Sequence, residues 1–438
     1  MSNIPKRLSA AILNSLQAGV VPRVGLEYVA VGRKREIETV LRDLENISQG
    51  AAAFRIVAGR YGSGKSFFLQ ALRNFAMEKD FLVSDADLSP EKRLSGTNNQ
   101  GLETYRELME KLSSKVRPDG GAMESMLQKW ISQVKTDLVK EGMAVTGPDF
   151  DSQVETRIFE TLNEMENFAH GFDFAAAVSV YYRSYTLGDD EKKHAALRWL
   201  RGEFSTKTEA RLFLPVGEII TDENWYEYVR LLAAFSARIG YRGLLVFIDE
   251  CVNLYKITNR QSRDNNYEKL LSMFNDAMQG KAQNLGIYLA GTPQFIEDER
   301  RGLASYAALK SRFKDNRFVK DGWADSGSPV IRLEQLTREE IYVLLERLAD
   351  IHSSHYEYPK NLGEKELSAF LELIFSVPGA EEFLTPREIT RDFLGLLNIL
   401  HDDPSVKFDD VIRRDSFVHS GSGRGGAESG GIYAEFEL

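Results

Sequence analysis

The chain has 438 residues, 43% hydrophobic and 27% charged, with a formal net charge of −10. That length points to two or three compact units with a sizeable core, and no apolar run approaches the length needed to cross a membrane. A single cysteine excludes an internal disulfide and fits a reducing cytoplasm; the acidic balance gives no global attraction to nucleic acid and leaves a local basic patch as the only route to direct DNA contact.

At the start, Lys6 and Arg7 precede Leu8-Ser9-Ala10-Ala11-Ile12-Leu13, but Asn14, Ser15 and Gln17 interrupt the apolar stretch too early for a leader peptide. A short amphipathic helix fits better. Ile37, Val40, Leu41 and Leu44 then predict a helix over 36–47, packed beside the core that follows. Phe54-Arg55-Ile56-Val57-Ala58 reads as a buried strand, and Phe67-Phe68-Leu69-Gln70-Ala71-Leu72 as a helix without a breaker.

Between strand and helix lies Gly59-Arg60-Tyr61-Gly62-Ser63-Gly64-Lys65-Ser66, which satisfies every fixed position of G-x-x-x-x-G-K-[ST]. The glycines let the backbone curl so that successive N–H groups face a phosphate, and the helix beginning near Phe67 aims its positive end at the same charge. Lys65 supplies a mobile point charge for the β and γ phosphates. The Ser66 hydroxyl is suited to Mg²⁺, which needs only one or two protein oxygens. Glycine-rich turns also precede helices by chance, but the strand–loop–helix order here is the one the phosphate reading requires.

Phe81-Leu82-Val83-Ser84-Asp85-Ala86 is the next predicted strand, and Ser89-Pro90-Glu91-Lys92 reads as the capped start of a helical turn. From there the chain runs far longer than one crossover helix before the next strand. Leu102, Tyr105, Leu108, Met109 and Leu112 recur at helical spacing, as do Met123, Met126, Leu127, Trp130, Ile131 and Val134, and then Val154, Ile158, Leu162 and Met165. A helical insertion over 96–215 is expected, with Tyr181, Tyr182 and Tyr185 serving as core or partner surface more than as a base-stacking platform. Asp222 is expected to cap a helix carrying Trp225, Tyr228, Val229, Leu232 and Phe235, ending at Gly240.

Leu244-Leu245-Val246-Phe247-Ile248-Asp249-Glu250 is an apolar strand ending in two carboxylates. Beside a phosphate loop, the first acid would organise Mg²⁺ and Glu250 would orient and deprotonate an attacking water. Solvated acids at a strand end are the plainer reading of the segment taken alone. Leu285-Gly286-Ile287-Tyr288-Leu289-Ala290-Gly291-Thr292-Pro293 is a further buried strand whose Thr292 either holds the water and senses the γ-phosphate or simply starts the next helix. Arg300, Arg301 and Arg312 compete for the role of a guanidinium reaching a neighbouring subunit's phosphate, and each fits a surface ion pair equally. Pro329-Val330-Ile331-Arg332-Leu333 completes the strands. Thr337 with Glu340 makes a capping box before Ile341, Leu344, Leu345 and Leu348, and Leu384-Thr385-Pro386-Arg387-Glu388 begins another helix that could carry Arg387 over bound phosphates. His352 with His355 lacks a third ligand and reads as a solvated helix face, so no metal beyond nucleotide Mg²⁺ is expected. Residues 420–431 are mostly Gly and Ser, a flexible linker.

Taken together, the phosphate loop, the strand-terminal Asp-Glu, the strand-terminal Thr and the helix-borne Arg resemble the AAA+ and STAND-like ATPases, where they are called Walker A, Walker B, sensor 1 and sensor 2. More narrowly, Gly19-Val20-Val21-Pro22, Val31-Gly32-Arg33, Asp87-Leu88-Ser89-Pro90-Glu91, Ile248-Asp249-Glu250, Ala290-Gly291-Thr292-Pro293 and Thr385-Pro386-Arg387-Glu388 are similar to the bacterial ATP-binding proteins of BREX-type phage-exclusion gene clusters. The resemblance implies an α/β P-loop core with a mainly parallel sheet, ATP and Mg²⁺ as ligands, Val31 and Gly32 near the adenine, and a role in antiviral defence beside other operon products. The expected division is an N-terminal helical entry segment (1–50), a P-loop core (51–95 and 216–333), the helical insertion (96–215), a helical lid (334–415) and a flexible tail (416–438).

Two functions compete: an ATP-hydrolysing switch or motor acting on partner proteins, as a possible homo-oligomer, and a non-hydrolysing ATP-dependent scaffold that recruits a defence nuclease, methyltransferase or helicase. Glu250 directly after Asp249 favours water over a kinase acceptor, and no Asn-Lys-x-Asp motif supports guanine reading.

Overall fold

A computed structural model describes residues 4–147, 149–314, 325–360, 362–376 and 385–412. Five strands form one sheet: β1 (Ala52–Ala58), β2 (Leu82–Asp87), β3 (Leu244–Asp249), β4 (Leu285–Gly291) and β5 (Val330–Arg332). Their order is β2-β3-β4-β1-β5, and every pairing is parallel. Four of them are legible as mainly apolar runs, as strands covered on both faces need no polar alternation, whereas β2 mixes Leu82, Val83 and Ala86 with Ser84, Asp85 and Asp87.

The period of two decides which layer each side chain enters. Phe54, Ile56, Leu244, Val246, Ile248, Leu285 and Ile287 join one buried cluster. Val57, Val83, Leu245, Phe247, Tyr288 and Ala290 join another on the opposite face, with Val40, Leu44 and Ile47 from the helix Lys34–Ser48 and Phe68, Leu69 and Leu72 from the helix Lys65–Glu78. The first face is covered by Trp225–Arg238, Arg260–Met278 and the helices between β2 and β3, whose buried residues run continuously into the sheet's own core. Tyr181 and Tyr182 are buried there.

A third cluster holds the C-terminal helices together. Arg338–Tyr356, Glu364–Phe375 and Pro386–Asp402 bury Leu345, Leu348, Phe370, Phe393 and Leu397 against Ile12 and Leu13 of the N-terminal helix Lys6–Gln17. Capping boxes start two of these helices, at Thr337 with Glu340 and at Thr385 with Glu388.

Three expectations need correction. Asp222 does not cap its own helix: its carboxylate accepts from the N–H groups of Gly96, Gly101 and Leu102, and so caps the helix Gln100–Glu110 far away in sequence. Ser89 caps a turn, accepting from Glu91 and Lys92, but the next helix starts only at Gln100. His352 is buried rather than solvated, with its ring nitrogens hydrogen-bonded to Tyr358 and Asn398 at 2.8 and 2.9 Å. Among the described residues no cluster of His, Cys, Asp or Glu could hold a metal on its own, and no helix is long and apolar enough to cross a membrane. The Gly- and Ser-rich segment 416–438 lies outside the described residues.

Candidate functional site

The sheet order does the positioning. With β4 between β1 and β3, the phosphate loop after β1, Thr292 after β4 and Asp249 at the end of β3 reach the same edge of the sheet. Backbone bonds lock the three ends: Gly59 N donates to the Gly291 carbonyl and Cys251 N to the Ala290 carbonyl, each at 3.1 Å. Crevices outside the carboxyl ends of parallel strands are where ligands bind in open α/β sheets.

The loop itself is built by its glycines. Gly62 and Gly64 take φ of 79° and 90°, where a side chain is strained. Ser63 is buried and its Oγ has no partner within the protein. Lys65 opens the helix Lys65–Glu78 and turns its ammonium back to the Gly59 and Arg60 carbonyls, 2.9 Å from each. Burial lowers the Lys65 pKa, opposed by the charges of Asp249 and Glu250. An anion arriving at the loop would favour the charged form and relieve that cost.

Ser66 Oγ donates to Asp249 Oδ2 at 2.8 Å, although the two residues are far apart in the chain. Asp249 Oδ1 accepts from the Glu250 N–H at 2.7 Å, so both carboxylate oxygens are fixed. Glu250 has φ 57°, an uncommon conformation for a glutamate, and its exposed side chain lines the cavity. A hydroxyl touching a carboxylate beside a phosphate loop is a hard-oxygen donor set that fits Mg²⁺. Thr292 caps the short helix Pro293–Glu297 by accepting from Phe295 N at 3.4 Å, and it lines the same cavity. Both sequence readings of Thr292 are therefore compatible with its position.

The cavity measures about 1190 Å³. Gly62, Ser63, Gly64, Lys65, Ser66, Asp249, Glu250 and Thr292 line its polar end, joined by Tyr61 and Phe67. Val31 and Gly32 line the same cavity, as do the apolar side chains of Ile37, Leu41, Leu336 and Leu344, which offer surface of the kind a flat heteroaromatic ring needs. Gly59 sits just behind, where an added Cβ would stand 2.2 Å from Ser63 Oγ.

The arginines separate into two groups. Arg387, at the start of the helix Pro386–Asp402, lines the cavity with its guanidinium 6.0 Å from the centroid of the exposed Tyr61 ring. Arg312 lies outside this cavity: it is exposed on the helix Ala307–Phe313 and bonds Asn275 Oδ1 and the Ala308 carbonyl. Arg301 donates to the Lys256 and Ile257 carbonyls, and Arg300 is exposed away from the cavity. Arg33, the last residue of the motif Val31-Gly32-Arg33, takes a place that the motif alone does not assign. Its Nη2 donates to the carbonyl of Ser63, a residue of the loop, at 3.0 Å, and only the Gly-Arg pair just before a helix hints at it.

A parallel five-stranded α/β fold with this loop and these acids at one edge defines a P-loop nucleotide-binding protein. Residues 4–416 match the family model described as BREX system ATP-binding protein BrxC/D, and the chain belongs to that family. No curated protein matches it in sequence.

Proposed function

We propose that the protein is an ATPase whose nucleotide state is read by its C-terminal helices and passed to other proteins of a phage-defence system. The 2.8 Å contact between Ser66 and Asp249, with Glu250 on the same cavity wall, carries the reading. ATP would lie with its phosphates in the loop from Gly59 to Ser66 and its base against Val31 and Gly32.

Lys65 would exchange its two loop carbonyls for phosphate oxygens, a swap of hydrogen bonds that needs only a side-chain rotation. Ser66 and Asp249 would hold Mg²⁺, which when bound draws charge off the transferring phosphoryl group. The Glu250 N–H and the Ser66 hydroxyl, which hold both Asp249 oxygens, would brace the carboxylate for that task. Glu250 would accept the proton of a water in line with the γ-phosphate, and Thr292 would hold that water from the neighbouring strand end. Arg387 would report the γ-phosphate to the helix Pro386–Asp402 from within the same subunit, whereas Arg312 would act only across an assembly.

The test is Glu250→Gln, which keeps the shape and one acceptor oxygen but removes the base. ATP binding should persist while phosphate release falls by about two orders of magnitude or more. Turnover at the parent rate would remove Glu250 from the chemistry, and a parent that binds ATP without releasing phosphate would favour the scaffold.

A further inference from the structure

The peptide bond between Ser63 and Gly64 lies at the centre of the phosphate loop, and its orientation is fixed from outside the loop. Arg33 Nη2 donates to the Ser63 carbonyl at 3.0 Å and also to the Glu334 carbonyl just after β5. Arg33 Nη1 lies 3.6 Å from Glu36 Oε1, and the two side chains are only 14% and 20% exposed. A guanidinium braced by a carboxylate one turn along the same helix presents a rigid fork.

The backbone at this point is strained. Arg33 has φ 63° and follows Gly32 at φ 66°, and an arginine held in the left-handed region is strained. That conformation brings the side chain to the loop. A trans peptide is planar, so its carbonyl and the following N–H point to opposite sides, and no described peptide bond is cis. Drawing the Ser63 carbonyl outward therefore turns the Gly64 N–H toward the inside of the loop, next to the first free amides of the helix Lys65–Glu78. Inward amides are what a phosphate cradle requires. The Ser63 side chain cannot substitute for this restraint, since its own Oγ has no partner.

We infer that Arg33 is a positioning residue for phosphate recognition: it orients the Ser63–Gly64 peptide and ties it, through Glu334, to the stretch that enters the helix Arg338–Tyr356. This rests on the nucleotide-binding reading of the cavity, and it differs from the adenine-side role expected for Val31 and Gly32. Arg33 is part of the cavity lining, and its bonds go to the Ser63 and Glu334 carbonyls and the Glu36 carboxylate, so its loss should weaken binding of the phosphates selectively, through the loop.

The parent, Arg33→Ala and Arg33→Lys can be compared by competition against a fluorescent ATP analogue, using a non-hydrolysable ATP analogue, ADP and adenosine as competitors. Thermal melts monitor folding in parallel. Arg33→Ala should weaken the triphosphate and ADP by roughly tenfold or more, the effect of losing charge-assisted hydrogen bonds, and adenosine by less than about twofold. Arg33→Lys keeps the charge without the fork and should fall between; it carries the test if the alanine variant does not fold. Parent-like triphosphate affinity in both variants would overturn the inference, as would an equal loss for adenosine, which would mark general damage. Because binding is read without turnover, a parent that binds ATP but releases no phosphate would sink the hydrolysis proposal and leave Arg33 standing.

Discussion

Gly62 is one point where the phosphate loop meets the C-terminal helices, and adding one methyl group there tests how the two are coupled. A Cβ on Gly62 would stand 2.3 Å from Thr385 Cγ2 and 2.6 Å from Thr385 Cβ. Carbon atoms in ordinary contact sit about 3.5–4.0 Å apart, so Gly62→Ala must drive Thr385 back by roughly 1–1.5 Å. Overpacking of this kind costs about 1–3 kcal/mol, and an alanine at φ 79° adds about 1–2 kcal/mol. Thr385 caps the helix Pro386–Asp402, so its retreat carries Arg387 and Thr390 away from the cavity they line. Because ATP binding would draw the displaced helix back against the loop, part of that cost falls on binding alone, and calorimetric titration should show affinity weakened by about tenfold or more, each 1.4 kcal/mol being tenfold. Adding Thr385→Gly removes the clash but not the backbone strain, at little cost to the cap, and should recover about half of the lost free energy. Gly62→Ala binding ATP within twofold of the parent, or a double variant that recovers nothing, would refute the coupling.

Two further outcomes concern the scaffold around the site. Arg55 meets Asp43 through two hydrogen bonds of 2.6 and 2.7 Å, with Tyr288 Oη 3.3 Å from the same carboxylate, so Asp43→Ala leaves a largely buried guanidinium with its bond to the Ser328 carbonyl but without this carboxylate. Urea unfolding should show a loss of about 3–5 kcal/mol, and a loss below 1 kcal/mol would mean that this pair does not anchor the helix Lys34–Ser48 to the sheet. His352 has its pKa lowered from 6.5 chiefly by burial, with its Asn398 hydrogen bond opposing and His401 and His355 adding to the shift. The unfolded chain therefore takes up a proton first as pH falls below about 6.5, and stability should drop there while changing little above. His352→Gln should flatten that acid limb of the urea midpoint, and an unchanged limb would assign the pH dependence to other groups.

What the sequence made legible was local. Most strands are covered on both faces, so short runs rich in apolar residues were visible without knowing their neighbours, and the spacing of Gly59, Gly64, Lys65 and Ser66 specifies a loop by itself. The contact between Ser66 and Asp249 could be expected only because a strand-terminal acid pair follows a phosphate loop in chain order. Positions set by long-range packing were not legible. Asp222 sits just before its own helix yet caps the helix Gln100–Glu110, because Trp225 donates its indole N–H to the Leu94 carbonyl and so brings that turn alongside. Arg312 carries no mark of which way it faces; Phe313 stacking near Phe54 and Phe274 sets the helix, and Arg312 is left against Asn275. Arg33 reaches the phosphate loop through a left-handed backbone that no propensity for arginine would suggest. His352 stood on a helix that looked amphipathic, and only the approach of Asn398 and Tyr358 showed it buried.

The most direct measurement is equilibrium binding of ATP with Mg²⁺ to the purified parent and to Lys65→Ala. If the cavity is a triphosphate site, the parent binds and the variant loses about tenfold to a hundredfold in affinity, the effect of removing one charge-assisted phosphate contact. Equal affinity in the two proteins, or no binding by the parent, would contradict it.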